Sequence, residues 1–306
     1  MHPFRFGIND RLVESADEWR ALARRTEDEG FDTLLVADHL AEQLLGLTPL
    51  VTAAEATSSL RVGTFVLNFD FRHPVVLARE AATLDLMIDG RLELGLGAGH
   101  MAHEYESAGM RFDPASTRVA RFAEHVEIIR RLFDSEELTF DGEHHTVTEH
   151  RLVPDRRPSL LVGGNGTQVL RTAGRFADTV GFTGFRVVDG TTDIETTHVS
   201  RAGLADRIAV VREAAGDRFA DLELNVLVQR VHIGPSPEAA ATELAEGMPF
   251  LDADGVLDSP FFLAGTTASI VEELQGLRDE LGVSYVATHA PNRDAIAPVV
   301  AALAGT

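Results

Sequence analysis

The chain has 306 residues, 44% of them hydrophobic, and it carries a formal net charge of −21 at pH 7. It contains no cysteine, and all 27 of its Lys and Arg side chains are arginines, which excludes disulfides, thiol catalysis and lysine Schiff bases. The acidic balance disfavours nucleic acid and membranes as partners, and we expect neither. Because the first residues lack the charged start and apolar core of a signal peptide, we expect a cytoplasmic location.

The first third of the chain alternates short apolar strands with helices. Apolar residues at a spacing of two, or in short unbroken runs, predict the strands, and apolar residues three and four apart predict the helices. The fourth strand places Leu92 and Leu94 on one face before the glycines of 97–99 break the run. We predict strands at 4–9, 33–37, 61–69 and 91–95 and helices at 15–30, 48–57 and 74–88.

The remaining two thirds continue the alternation with interruptions. The clearest helical periodicity lies at 117–133, and Asp141-Gly142 predicts the turn of a hairpin insertion at 138–149. The polar stretch 186–197 is predicted to be mobile, and 236–260 mixes helix signals with glycine and proline. Further strands are predicted at 159–162, 179–182, 223–233 and 284–288, with helices from 167 and at 200–214, 267–281 and 294–303; residues 261–265 lead into the third of these helices.

Eight short apolar strands followed by helices predict a (β/α)8 TIM barrel with insertions. No low-complexity linker divides the chain, so we expect one domain over residues 1–306. In such barrels the catalytic residues lie at the carboxyl ends of the strands. The candidates at these ends are Asn9, Asp38, His39, Asn68, 97–104, 163–166, Thr183, Gln229 and His289.

Two of these strand ends indicate chemistry, and each has a plainer alternative. Asp38 next to His39 places a carboxylate beside an imidazole and can fix its tautomer or raise its pKa, unless the two only cap the strand. The loop 163–166, Gly-Gly-Asn-Gly before a helix, suits a phosphate, unless it is simply a tight turn. Arg171 and Arg175, one turn apart on that helix, either add charge to this site or are merely solvated.

A third strand end carries a titratable cluster. His100 and His103 follow the glycines directly, with Glu104 and Glu106 close by. The cluster lacks the spacing of a known metal motif, so we expect no metal.

Several ordered motifs together resemble the bacterial luciferase-like monooxygenase superfamily of flavin- and deazaflavin-dependent barrel enzymes. The match extends over roughly residues 4–185, and 282–286 is similar to the final strand of the family. The motifs are Val36-Ala-Asp-His-Leu40, Gly63-Thr-Phe-Val-Leu-Asn68, Arg79-Glu-Ala-Ala-Thr-Leu-Asp85, Gly90-Arg-Leu-Glu-Leu-Gly-Leu-Gly-Ala-Gly99, Glu104-Tyr-Glu-Ser-Ala-Gly109, Pro158-Ser-Leu-Leu-Val-Gly-Gly-Asn-Gly166 and Ala173-Gly-Arg-Phe-Ala-Asp178.

The resemblance implies a cofactor ring in the barrel mouth, over a bulge of the third strand that often contains a non-proline cis peptide. The bulge falls at Phe65 and Val66, and the resemblance implies that His39 assists proton or hydride chemistry. His100 stands where several members carry Glu or Trp, which makes it a second catalytic candidate. The implied cofactor contacts are Asp38, His39, Phe65, Val66, Asn68, Gly99, His103, Gly163, Gly164, Asn165, Gly166 and Thr183.

The resemblance also implies the reaction class. The local pattern at Asp38-His39 and the 163–166 loop resembles the branch that uses coenzyme F420, so we expect hydride transfer between the deazaflavin and an unidentified small organic substrate. The alternatives are an FMN-dependent monooxygenase that uses reduced flavin and O2, and a non-catalytic flavin-binding barrel. Members of the family commonly form homodimers, and the apolar face of the helix at 74–88 is either a dimer contact or part of the core.

Overall fold

A computed structural model of the protein describes residues 2–10, 13–40, 44–134, 137–187, 194–196 and 198–306. Its strands are, in chain order, β1 (Arg5–Asn9), β2 (Thr33–Val36), β3 (Arg61–Thr64), β4 (Leu67–Asn68), β5 (Leu92–Gly97), β6 (Leu138–Asp141), β7 (Thr146–His150), β8 (Ser159–Gly163), β9 (Thr179–Phe182), β10 (Arg186–Val187), β11 (Ile194–Glu195), β12 (Glu223–Val228), β13 (Arg230–Ile233), β14 (Phe262–Gly265) and β15 (Val283–His289).

Each predicted helix is present close to its expected range, and the described residues contain three further short α-helices. Within the described residues, none of them combines the length and the apolar character needed to cross a membrane. The helices are α1 (Ala16–Asp28), α2 (Thr48–Glu55), α3 (Pro74–Met87), α4 (Ala102–Ser107), α5 (Ala115–Phe133), α6 (Thr167–Phe176), α7 (Arg201–Ala215), α8 (Pro237–Ala245), α9 (Ala253–Asp258), α10 (Thr267–Leu281) and α11 (Arg293–Leu303).

The main sheet is a closed parallel barrel. Its strand order is β3-β2-β1-β15-β12-β9-β8-β5-β4, and an additional pairing of β3 with β5 closes the ring. The first strand pairs with β2 on one side and with the last strand, β15, on the other, in a register that runs from Arg5 opposite Tyr285 to Asn9 opposite His289. Because β3 and β4 together form one side of the ring, the barrel has eight sides, which confirms the predicted TIM barrel.

Three strand predictions were wrong in detail. The third strand is interrupted between β3 and β4, where the peptide bond from Phe65 to Val66 is cis. The predicted strand 223–233 is two strands, because β13 leaves the barrel and pairs with β14. Residues 262–265, expected only to lead into a helix, therefore form a strand themselves.

The insertions lie where the sequence departs from the regular alternation of strands and helices. The predicted hairpin is confirmed as the antiparallel pair β6–β7. The region 236–260 contains the short helices α8 and α9. Much of the predicted mobile stretch, at 188–193 and 197, lies outside the described residues, and its flanks β10 and β11 pair antiparallel.

Glycines inside the barrel make room for a few large side chains. A Cβ at Gly181 would lie 2.6 Å from the ring of Phe65, and one at Gly163 would lie 3.1 Å from the same ring. A Cβ at Gly7 would lie 2.8 Å from the hydroxyl of Tyr285. Alternating large and small residues fill a narrow barrel without voids, so Gly163 and Gly181 make room for Phe65, and Gly7 makes room for Tyr285.

The end of the barrel opposite the catalytic strand ends is closed by ion pairs around one arginine. The guanidinium of Arg5 contacts Asp32 at 2.6 Å, Glu223 at 2.5 Å and the fully buried Glu93 at 3.1 Å. The hydroxyl of Tyr285 donates to Glu93 at 2.9 Å. Burial raises the pKa of Glu223, and the nearby Arg5 opposes that rise. One cation therefore holds carboxylates from three other parts of the chain.

The stability of the protein should depend on pH through a histidine outside the barrel. His125 on α5 is fully buried, and neither of its ring nitrogens has a hydrogen-bond partner among the described residues. Burial, with a smaller contribution from His145, lowers the pKa of His125 to about 3. Between this value and the ordinary histidine pKa of 6.5 the unfolded chain binds a proton that the folded chain does not, so the free energy of unfolding falls as the pH drops through this range.

Replacing this histidine should remove that part of the pH dependence. The His125→Phe variant keeps a ring against Phe69, whose centroid lies 5.4 Å from that of His125, but it has no group to protonate. From pH 7 to pH 5 the variant should lose less stability than the wild type by about 2 kcal/mol. Urea denaturation at the two pH values measures this difference, and equal losses would contradict the assigned role of His125.

Candidate active site at the barrel mouth

The interrupted third strand forms one wall of the barrel mouth. The side-chain amide of Asn9, at the end of β1, donates to the carbonyl oxygen of Phe65 at 3.2 Å. The other side-chain atom, Asn9 Oδ1, is buried and accepts no hydrogen bond from the described part of the chain. Buried polar groups in proteins are normally hydrogen-bonded, and an N–H of a flavin-type ring can supply the donor for Asn9 Oδ1.

The expected pairing of Asp38 with His39 was wrong. The carboxylate of Asp38 is fully buried and accepts from Arg72, with Nη1 at 2.6 Å and Nη2 at 3.2 Å. It also accepts from the backbone N–H of Asn68 at 3.1 Å. Asp38 therefore fixes the position of β4 rather than the tautomer of its neighbour, because the charge-assisted pair with Arg72 takes both of its oxygens.

His39 is instead held by a carboxylate from a different part of the chain. Its Nδ1 lies 3.2 Å from Oε1 of Glu104 on α4, and Glu104 is only 3% exposed. Since a carboxylate accepts, Nδ1 carries the proton in this pair, and Nε2 is left as the ring nitrogen that can accept or deliver one. A buried carboxylate that orients a partly exposed imidazole is an arrangement suited to general acid–base catalysis.

The other two histidines of the predicted cluster are differently placed. The ring of His100 lies edge-on to that of His39, with centroids 6.1 Å apart. Desolvation lowers the pKa of His100, and the nearby imidazole of His39 lowers it further. His103 is exposed on α4. The structure therefore brings the ring of His100 against that of His39, whereas the side chain of His103 is exposed.

A tyrosine that the sequence analysis did not single out organises the same wall. The hydroxyl of Tyr105 is buried and lies 3.0 Å from both Asn68 Oδ1 and Asp70 Oδ2, and burial raises its pKa. Arg121 binds the carboxylate of Asp70 through Nε at 2.8 Å. A Cβ at Gly99 would lie 2.4 Å from the same hydroxyl. Gly99 is thus required for close packing against Tyr105 and Asn68.

The glycine-rich loop after β8 is anchored by its asparagine. The side-chain amide of Asn165 donates to the Thr183 hydroxyl at 2.9 Å and to the Phe185 carbonyl at 2.6 Å. The N–H of Gly164, which has a φ of +153°, donates to the carbonyl oxygen of Gly181 at 2.9 Å. The side chains of Asn165 and Thr183 thus bind each other and set the shape of the loop.

The end of this loop leaves the N-terminus of α6 open. Gly166 is the N-cap and provides no side-chain hydrogen bond to the helix. A Cβ at Gly166 would meet no described atom within 4 Å. Arg207 donates to the hydroxyl of Thr167, the first residue of the helix, at 3.2 Å. Backbone N–H groups, a helix dipole and a nearby arginine together suit an anion such as a phosphate.

The mouth therefore combines a proton-transfer pair, a wall with an unsatisfied buried acceptor and an open helix N-terminus. The residues present fit a cofactor that has a polar ring and a phosphate. The ring would lie toward Asn9 and the bulge at 65–66, and the phosphate toward 164–167.

Known proteins share both the sequence pattern and the fold. The model of the luciferase-like monooxygenase family matches residues 1–301. An F420-dependent glucose-6-phosphate dehydrogenase of Nakamurella multipartita is 31% identical over 233 residues, which cover 72% of this chain and 66% of that protein. Over several of the curated relatives that it matches, the chain spans between 50% and 66% of their length.

Solved structures share the whole architecture at low sequence identity. The F420-dependent tetrahydromethanopterin reductase of Methanopyrus kandleri superposes with a TM-score of 0.73 at 17% identity, covering 98% of this chain and 97% of that one. An F420-dependent secondary alcohol dehydrogenase in complex with an F420–acetone adduct gives 0.72 at 19% identity and covers 99% of both chains. These similarities establish the fold.

Proposed function

Because the chain belongs to the luciferase-like monooxygenase family, we propose that it is an oxidoreductase that uses coenzyme F420. It transfers a hydride between the deazaflavin and a small organic substrate. One observation of geometry carries the reaction class: His39, oriented by the buried Glu104, lies at the same barrel end as the open N-terminus of α6. The F420 dependence of the curated relatives supports the choice of cofactor.

The roles of the residues follow from their contacts. F420 supplies a ring carbon that accepts or donates a hydride and that reacts poorly with oxygen. His39 takes the proton from a substrate hydroxyl during oxidation, or returns it during reduction, through Nε2. His100 is the second proton carrier.

Binding of the cofactor is divided between the two sides of the mouth. Phe65, Val66 and Asn68 support the ring, together with the unpartnered oxygen of Asn9. The loop from Gly163 to Gly166 holds the phosphate. Gly99 acts through its close packing against Tyr105 and Asn68, and Asp38 acts through its ion pair with Arg72. Thr183 acts through its hydrogen bond with Asn165. His103 lies at the rim of the mouth.

A binding titration of the purified protein with F420 and with FMN, followed by fluorescence, tests the proposal. Tight binding of F420 with negligible binding of FMN is the expected result. Tight binding of FMN alone would overturn it in favour of a monooxygenase that uses reduced flavin and O2, and binding of neither would favour a non-catalytic barrel. Glucose 6-phosphate belongs in the first substrate screen, because the curated relatives act on it by name.

A negative charge at the N-cap of α6 should weaken the binding of F420 without lowering the stability of the protein. Gly166 has ordinary extended dihedrals, φ −67° and ψ 138°, so aspartate fits there and can cap the helix. The Gly166→Asp variant should be as stable as the wild type, or more stable by a few tenths of a kcal/mol, roughly. Its affinity for F420 should fall by about tenfold or more, since it places a carboxylate beside the phosphate.

The matched control is Gly166→Asn, which offers the same cap without the charge. It should keep most of the affinity, and isothermal titration with thermal denaturation measures both quantities. Equal affinities of the aspartate and asparagine variants for F420 would contradict the assignment of the phosphate to this loop.

We also propose a homodimer and a cytoplasmic location. The apolar face of α3 was one candidate for the dimer contact, but its residues Leu77, Ala81 and Leu84 are buried in the core. A dimer contact of α3 would therefore use the opposite side of the helix. That side exposes Val76, Leu86 and Met87 to the extent of 53%, 52% and 64%, and exposed apolar side chains of this size mark contact surfaces. A monomeric mass by light scattering at micromolar concentration would contradict the dimer.

A further inference from the structure

A groove on the outside of the barrel begins where the phosphate loop ends. It has a volume of about 770 Å³ and lies between the N-terminal half of α5 and most of the length of α6. Gly166 and Thr167 line it at one end, and Ala115 and Ser116, the first residues of α5, line it from the other helix. The groove is therefore continuous with the loop to which we assign the phosphate.

We propose that this groove binds the acidic tail of F420, the chain of γ-linked glutamates that follows the phosphate. The inference rests on the proposed cofactor and extends it to a part of the protein outside the barrel mouth. A γ-linked glutamate chain carries one carboxylate per residue on an aliphatic backbone, so its site needs cationic groups beside apolar walls.

The cationic groups are Arg171 and Arg175. They lie one turn apart on α6, both are exposed, and both line the groove. Arg171 donates to the side chain of Gln168 at 3.1 Å, and neither arginine forms an ion pair with any residue that the structure describes. Glu213 is the acidic residue of the lining. Two arginines against one glutamate make the groove locally positive in a chain whose net charge is −21.

The spacing of these residues matches an extended ligand that leaves the loop. Thr167, Arg171 and Arg175 follow one another at intervals of four, so they share one face of α6. At the helical rise per residue they extend over about 12 Å from the N-terminus of the helix. An anionic chain that starts at the phosphate therefore meets the open helix end first and then the two arginines in succession.

The opposite wall is apolar and made of small side chains. Val119, Ala120 and Ala123 of α5 line the groove, and their size keeps the space between the helices open. Methylene groups of a γ-glutamyl chain can pack on this wall while the carboxylates face the arginines. A fully polar ligand such as free phosphate would leave the apolar wall unused.

Fluorescence titrations with three forms of the cofactor test the proposal. The forms are F420 with several glutamates, the same molecule with its phosphate but no glutamate, and the deazaflavin with its ribityl chain but without phosphate. Wild-type protein should bind the glutamylated form about tenfold more tightly than the form without glutamates, and added salt should narrow this difference.

The double variant R171Q/R175Q should lose the preference for glutamates and keep its affinity for the form without them. The matched control R24Q/R151Q removes the same charge from exposed arginines elsewhere and should retain the preference. If R171Q/R175Q bound F420 with and without glutamates equally more weakly, or bound both as the wild type does, the tail site would be overturned. The cofactor assignment would stay intact in either case. A change of oligomeric state in R171Q/R175Q with the preference unchanged would instead assign the groove to a second copy of the chain.

Failure of every form to bind the wild type would reject the proposed cofactor and the tail site together. Binding of the form without glutamates, with no gain from adding them, would reject the tail site alone. The two failures are therefore distinguishable in one set of titrations.

Discussion

The His39→Ala variant should lose F420-dependent turnover by about 100-fold or more, the usual range for a lost general acid or base. The reason is the geometry at the mouth, where Nδ1 of His39 is bound to Glu104 and Nε2 is the nitrogen available for the proton. The affinity for F420, measured by fluorescence, should change far less than turnover. Unchanged turnover with unchanged affinity would rule out the catalytic role.

The partner of His39 can be tested as a positioning residue. Glu104→Gln keeps the size of the side chain but no longer offers two charged acceptors, so turnover should fall by about tenfold and its pH profile should shift. Glu106→Gln is the matched control, because Glu106 lies on the same short helix and is exposed. If the two variants behaved alike in the pH profile, the pairing of Glu104 with His39 would have no part in the reaction.

The Gly95→Ala variant should be strongly destabilised. A Cβ at Gly95 would lie 1.9 Å from the backbone oxygen of Thr64, and that strand cannot move freely, since the Thr64 hydroxyl bonds both the N–H and the carbonyl of Gly95 at 2.9 Å. We expect a loss of about 3 kcal/mol or more, or no folded protein at all.

A second glycine provides the control for this effect. A Cβ at Gly276, within helix α10, would meet no described atom within 4 Å, so Gly276→Ala should raise stability by roughly 0.5–1 kcal/mol through helix propensity. Urea denaturation compares the two. Equal stabilities would show that β3 and β5 can separate at this point without cost.

Local sequence patterns were sufficient for most of the barrel and for the family. The eight sides, the hairpin predicted at 138–149 and the flanking helices follow from hydrophobic periodicity and turn residues, which are local properties. The resemblance to luciferase-like enzymes is confirmed by the family match, and the cis peptide bond lies at Phe65–Val66, where the resemblance places it.

The partners of the site residues could not be read from the sequence. Asp38 and His39 are adjacent, so the pattern paired them, but successive residues of an extended chain point in opposite directions. Their true partners, Arg72 and Glu104, are 34 and 65 residues away along the chain. Tyr105 was overlooked for the same reason, because only the fold brings its hydroxyl to Asn68.

The strand β13 was misread because Val231 and Ile233 resume the apolar pattern of β12 after only two polar residues, Gln229 and Arg230. Only the pairing with β14 shows that the chain has left the barrel after Val228. Periodicity identifies a strand but does not identify its neighbour.

The ring of ion pairs around Arg5 has a consequence for how the protein is made. β1 is synthesised before β15, yet it pairs with β15, and Tyr285 donates to one of the carboxylates that Arg5 binds. Contacts between strands that are far apart in the sequence form slowly. One edge of β1 therefore stays unpaired until β15 has been synthesised, and nascent chains that stall before residue 283 should depend on chaperones that cover this edge.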